Sequence, residues 1–199
     1  MEIWIGTTNK GKLSELRLLF DKHIPGIVVK SLSELPSYVQ PPENGQTFLD
    51  NARIKARSLK AMKPGVWVMA EDSGLEVDLL NKLPGIHSAR YAGPKASDSE
   101  NVAKLLKMVQ LKSTGATSRT ARFYCSLVAF DPSGAEHVFD GEMKGAIAKA
   151  PVGQLGFGYD PVFVPEGKTK TLAELGPGYK NTHSHRAAAA SKLIAVMKA

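Results

Sequence analysis

Apolar residues along this chain come in short blocks separated by polar, glycine-marked turns, and the period within the blocks switches between two and nearly four. The first strand signal, Glu2 to Gly6, centres on Ile3-Trp4-Ile5. Leu13, Leu16, Leu19 and Phe20 then recur at helical spacing, and the helix ends before Pro25-Gly26. Ile27-Val28-Val29 is a second strand, and a proline-rich connection from Leu35 to Pro42 leads into Glu43-Asn44-Gly45. Thr47 and Asp50 have capping-box spacing at the start of a long helix. Phe48, Ala52, Ala56, Leu59 and Met62 form its inward stripe, Asn51 and Lys55 share another face, and Pro64-Gly65 stops it.

Val66 to Ala70 is a continuous apolar run of the kind buried on both faces of a sheet, and it runs into Glu71-Asp72-Ser73-Gly74. Leu75 to Leu79 alternates as a further strand, and Leu83-Pro84-Gly85 turns the chain. Ser97 and Glu100 begin another capped helix, with Val102, Leu105, Leu106 and Val109 inward. Residues 115–118 read as a link. Arg119 to Phe130 alternates over a long strand, Asp131 to Gly134 makes a tight turn, and Glu136 to Ala148 returns. That hairpin makes the sheet mixed. Thr171 to Leu175 is a short helix broken by Gly176-Pro177-Gly178, and an alanine-rich helix closes the chain with Ala190, Leu193, Ile194 and Met197 inward. The pattern predicts an α/β protein, residues 1–199 forming one domain with room for two lobes.

Composition narrows the class. Hydrophobic content of 43% and charged content of 23% are ordinary for a globular chain. A formal charge of +7 points to an anionic partner, whether nucleic acid, nucleotide or phosphate metabolite, although the lysines are spread along the chain. No apolar run approaches membrane length and the first strand is too short and too early for a signal peptide, so a cytoplasmic protein without a membrane partner is expected. The single cysteine, Cys125, excludes an internal disulfide and falls on the apolar face of its strand with Ala121, Phe123, Leu127 and Ala129, as a core residue does.

Chemistry gathers at a few polar clusters. Glu71 and Asp72 stand at the end of an apolar run, where adjacent carboxylates are unfavourable unless solvated, paired or bound to a cation. Gly6 to Lys12 spells most of a phosphate-binding loop, but Leu13 replaces the Ser or Thr that would hold magnesium there. Such a turn cradles phosphate or simply joins strand to helix. Glu43 precedes a helix start and Lys55 projects from its second turn. Gly153 to Pro161 is a glycine-rich loop with two aromatics that stack a base or fold back into the core. Lys180 to Arg186 offers two histidines and an arginine at a helix start, without the spacing of a structural zinc site. Together these are the parts of a magnesium-dependent nucleotide hydrolase. A P-loop ATPase or kinase is opposed by Leu13, and a basic nucleic-acid-binding module remains the reading from another class.

Six segments, in order, resemble the signatures of the inosine triphosphate pyrophosphatase family, whose bacterial members are the dITP/XTP or non-canonical purine NTP pyrophosphatases. They are Thr7 to Lys12; Glu43 to Phe48 with Asn51-Ala52; Glu71 to Leu75; Pro84 to Tyr91; Phe157 to Pro161; and Ser184-His185-Arg186. The resemblance implies a mixed central sheet flanked by helices, two lobes around a nucleotide cleft, and a homodimer with no stable nucleic-acid partner. It implies hydrolysis of ITP, dITP or XTP between the α and β phosphates. Carried over, Thr7, Thr8, Asn9, Lys10, Gly11, Lys12 and Ser73 bind nucleotide, with Lys55 near the triphosphate. Glu43 and Asp72 hold Mg2+, and Asp72 is the base for the attacking water. Phe157, Gly158, Tyr159, Asp160, Lys180, His185 and Arg186 match the base-binding segments. Thr8 and Asp50 depart from the family's more usual Gly and Glu. Discrimination is expected at the 6-keto edge of the purine, read by His185 and Arg186 with Phe157 stacking; guanine, which shares that edge, has to be excluded by crowding at its 2-amino group.

Overall fold

The chain folds around a six-stranded sheet of order β2-β1-β3-β4-β5-β6 in a computed structural model that describes residues 1–114 and 118–199. Strands β1 (Glu2–Ile5), β2 (Val28–Ser31) and β3 (Trp67–Val77) pair in parallel, with Ile3 opposite Trp67 and Ile5 opposite both Met69 and Ser31. β4 (Thr120–Phe130) and β5 (Glu136–Ile147) follow, and β6 (Phe163–Pro165) pairs antiparallel with β5. The sheet is therefore mixed, as the hairpin pattern predicts. The link expected over 115–118 lies, apart from Ser118, outside the described residues.

The chain divides into two units, the first made of residues 1–72, 125–141 and 186–199, the second of 73–124 and 142–185. In the first, the strands are covered on both faces. Ile3, Ile5, Met69 and Leu127 pack with Leu16 and Phe20 of α1 (Lys10–His23) and Leu193 of α5 (His185–Lys198). The alternate residues Trp4, Val68, Ala70 and Val128 pack with Ala52, Ala56 and Leu59 of α2 (Phe48–Met62). Two-sided burial explains why these segments read as unbroken apolar runs. In the second unit, Leu75, Val77, Phe123, Met143 and Phe163 face Val102, Leu105 and Val109 of α3 (Asp98–Lys112) and Leu172 of α4 (Leu172–His183). The other side of β4 there carries Arg122, ion-paired with Glu76 and Glu142. β4 thus alternates in its first half and is buried throughout its second.

Several boundaries differ from the sequence reading. β3 does not end at Ala70; it runs unbroken through Glu71-Asp72-Ser73-Gly74 to Val77. The carboxylates sit in mid-strand because cations of the same unit neutralise them, so the chain has no need to turn out to water. α1 begins at Lys10, three residues before its first apolar position, because the Asn9 side chain caps it by accepting from the Lys12 N–H at 3.0 Å. Met62 is 43% exposed rather than inward. α4 is interrupted at Gly176, as the Gly-Pro-Gly run predicts, but Pro177 restarts it and carries Lys180 on a helix. β6 escaped notice because three residues ending in proline carry almost no strand signal.

Candidate active site

The phosphate-turn candidates lie between β1 and α1 of the first unit. The Gly6 N–H donates to the Met69 carbonyl at 2.7 Å, so the turn leaves directly from the strand pairing. The Asn9 N–H donates to Thr7 Oγ1 at 3.2 Å, which folds Thr7 and Asn9 over the helix start. Thr8, Asn9 and Lys10 are exposed, and Lys10, Gly11 and Lys12 form the first turn of α1, whose amides and dipole favour an anion.

Beside this turn lies a buried ionic cluster within the same unit. Glu71 Oε1 is 3.1 Å from Lys12 Nζ and accepts from Arg186 Nε at 3.0 Å, while Glu71 Oε2 accepts from the Cys125 thiol at 3.0 Å. Arg186 donates its second arm to Glu15 Oε2 at 2.5 Å. Lys55 Nζ lies 3.0 Å from Asp72 Oδ1 and 3.0 Å from Glu43 Oε1, bridging the two carboxylates. Asn51 donates to Asp72 Oδ2 at 3.3 Å and accepts from the Gly45 N–H at 2.9 Å, which ties the Glu43 loop to Asp72. Only glycine fits at 45, since a Cβ there would lie 2.5 Å from Asp50 Cβ and 2.7 Å from Asn51 Oδ1.

In these contacts the carboxylates of Glu15, Glu43, Glu71 and Asp72 meet the cations of Lys12, Lys55 and Arg186. Burial pushes the Asp72 carboxyl above its usual range, with Glu43 adding to it and Lys55 and Lys12 opposing. Burial lowers the Lys55 ammonium, but Asp72, Glu43 and the hydrogen bond to Asp72 outweigh it and hold the pKa above the ordinary lysine value. Burial first, then the Glu71 charge, drive the Cys125 thiol well upward, which suits a core residue and not a nucleophile.

The second unit holds the aromatic candidates. Lys180 Nζ donates to Asp160 Oδ2 at 2.7 Å and lies 3.9 Å from the centroid of Phe157, a cation–π contact. The Phe157 N–H donates to the same Asp160 oxygen at 3.0 Å, and the Gly158 N–H donates to Asp98 at 2.7 Å, so the loop is held at both residues. Gly156 has φ +85°, and a Cβ there would lie 2.1 Å from Asp160 Oδ2; this position has to be glycine. Tyr159 is buried, and its hydroxyl donates to the Ser88 carbonyl at 2.8 Å, with burial pushing the phenol well above its usual pKa. His185 stacks on Phe123 with centroids 4.9 Å apart and planes at 10°.

The first unit therefore brings together Thr7 to Lys12, Glu43, Lys55, Asp72 and Arg186, and the second brings together Phe157 to Asp160 and Lys180. Ser73 belongs to the second unit and is half-buried in β3. Arg186 lies between Glu71 and Glu15 within the first unit. Sequence reasoning misses Glu15 altogether, and it notes Asn51 and Glu71 without giving either a binding role. The one-turn spacing of Asn51 and Lys55 was the available signal, and it reads as a solvated face until both prove buried. Asp50 is occupied in a capping box with Thr47. A cavity of about 670 Å³ in the second unit, lined by Arg122, Glu142, Lys144 and Glu166, contains none of these residues.

Among the described residues no group of three His, Cys, Asp or Glu side chains forms a cation cage. The Glu43–Asp72 pair still fits magnesium, which usually binds proteins through one or two carboxylates and leaves the other positions to water and phosphate. The Lys55 ammonium between the two carboxylates shows that a cation can stand there.

Residues 3–196 match the model of the Ham1 family. The chain is 59% identical over 189 residues to a dITP/XTP pyrophosphatase of Bdellovibrio bacteriovorus, covering 95% of this chain and 94% of that one. It is 46% identical to a dITP/XTP pyrophosphatase of Geobacillus kaustophilus, covering 96% and 92%. The solved structure of a HAM1 protein from Coxiella burnetii is similar to it with a TM-score of 0.88 at 36% identity, covering 100% of this chain and 98% of that one.

Proposed function

The chain belongs to the Ham1 family, and on that footing we propose that it is a nucleoside triphosphate pyrophosphohydrolase that removes ITP, dITP and XTP as monophosphate and pyrophosphate. The observation that carries this reading is the pair of carboxylates, Glu43 and Asp72, held on one ammonium beside a phosphate-ready helix start. Lys10, Lys12 and the first-turn amides of α1 hold the triphosphate anion. Asn51 fixes Asp72, which takes the proton of a water as its oxygen attacks the α-phosphorus; the bridging oxygen leaves with pyrophosphate. Glu43 and Asp72 would hold Mg2+, whose charge offsets that of the triphosphate.

The second unit supplies the groups for the base. Phe157 offers a ring, and the Lys180 ammonium, positioned by Asp160, donates to a 6-keto oxygen but has nothing to accept from a 6-amino group. His185 stacks by its face on Phe123, and Arg186 holds Glu71 and Glu15 through Nε and Nη1. Lys12, Lys55, Lys180 and Arg186 are all matched to carboxylates, an arrangement poorly suited to a nucleic-acid-binding stripe. We extend the proposal to a homodimer working in the cytoplasm, in keeping with the family resemblance; among the described residues no helix is long and apolar enough to cross a membrane. The test is product analysis with dITP and Mg2+ in 18O-water. Label in dIMP together with unlabelled pyrophosphate is expected, and release of inorganic phosphate and dIDP would overturn it.

A further inference from the structure

Lys55 is 5% exposed, yet it projects from α2 on a flexible four-carbon stem, and its ammonium lies 3.0 Å from oxygens of Glu43 and Asp72. They belong to the two carboxylates that would hold a divalent ion. An ammonium and a doubly charged ion cannot share them, because both would lie within a few ångströms of each other in a partly desolvated site. The cluster is otherwise arranged to keep its carboxylates in place: Gln40 donates to Glu43 Oε1 at 3.1 Å and Asn51 to Asp72 Oδ2 at 3.3 Å. Lys55 is thus the member whose departure leaves the acceptors still ordered.

We propose that Lys55 is a place-holding cation for the metal position, occupying the Glu43–Asp72 pair in the resting protein and yielding it on metal binding, after which its ammonium is available to a phosphate oxygen. The proposal rests on the reading of Glu43 and Asp72 as the metal pair. It makes Lys55 a positioning residue with two successive partners, carboxylate and then phosphate. It also explains how the buried Asp72 and half-buried Glu43 carboxylates avoid mutual repulsion before metal arrives. Metal affinity in the absence of nucleotide is held down by the same residue, so that tight metal binding coincides with arrival of the triphosphate.

The test is direct Mn2+ binding, followed by electron paramagnetic resonance without nucleotide, in the wild type and in Lys55→Met, Lys55→Arg and Asp72→Asn. Lys55→Met should bind Mn2+ on the order of tenfold or more tightly than the wild type. Lys55→Arg, which keeps the competing charge, should stay near the wild type. Equal affinity of the wild type and Lys55→Met, with weaker binding by Asp72→Asn, would refute the place-holder while leaving the metal pair standing. Absence of binding in both, or unchanged binding in Asp72→Asn, would remove the metal pair and the proposal with it. If Lys55→Met is poorly folded in chelator, its thermal midpoint is compared with and without Mn2+. A larger metal-induced rise than in the wild type is expected, and an equal or smaller one overturns the proposal.

Discussion

Replacing Arg186 by Met tests whether the buried cluster holds the site together. The guanidinium is 2% exposed and serves two carboxylates, Glu71 at 3.0 Å and Glu15 at 2.5 Å. The side chain of Glu71 has no exposure at all, so it cannot turn to water when its partner goes. Removing one member of a buried pair in this way costs about 3–5 kcal/mol, most of it from the charge left behind. For a chain of this size each kcal/mol shifts the melting temperature by roughly 2–4 °C, which places the variant about 6–20 °C below the wild type. Lys12 and Cys125 still contact Glu71, which argues for the lower half of that range. The assay is thermal and urea unfolding by circular dichroism, with Glu71→Gln and the Arg186→Met/Glu71→Gln double variant completing a cycle. The double variant should be more stable than Arg186→Met, because the fully buried one of the two orphaned charges is gone. A single variant within about 1 kcal/mol of the wild type, or a cycle with no coupling, would refute the claim that this pair organises the site.

Asp72→Asn should reduce turnover by at least about a hundredfold while nucleotide binding, followed by calorimetry, remains measurable; wild-type turnover would remove Asp72 from its assigned role. Cys125, buried with its thiol driven upward, should react with a disulfide reagent at pH 8 far more slowly in the native protein than in urea. Equal rates would contradict its burial. Thr47→Ala should cost about 1 kcal/mol of unfolding free energy through loss of the α2 cap. Asp50, whose carboxyl is held low first by its hydrogen bond to Thr47, contributes stability that is present above its unfolded pKa and lost as pH falls through the folded one. Asp50→Asn should therefore flatten the acid limb of the stability profile, and an unchanged limb would count against the capping box.

The parts of the fold that were legible in the sequence are those fixed by local chemistry. Thr47–Asp50 and Ser97–Glu100 announce their helices because a capping box is complete within four residues. The alternation of Arg119 to Phe130 likewise gave β4 with its core face, Cys125 included. What failed depended on partners far along the chain. Glu71 and Asp72 read as a strand end because two adjacent acids argue for solvent; their burial becomes reasonable only with Arg186, 115 residues later, and Lys55. Glu15, which pairs with the same arginine, carries no local signal of burial either. Nothing local reveals that the Tyr159 hydroxyl donates to the Ser88 carbonyl or that His185 stacks on Phe123.

The most direct measurement is pyrophosphate release, with magnesium, from ITP, dITP and XTP beside ATP, GTP, CTP and UTP, compared as kcat/KM. The account predicts rapid turnover of the first three and a disadvantage of roughly 10⁴-fold for ATP, as expected of a site whose buried donor is left unpaired by a 6-amino group. Comparable turnover of ATP would contradict the keto-edge reading, and no turnover of any nucleotide by the folded protein would contradict the proposed activity itself.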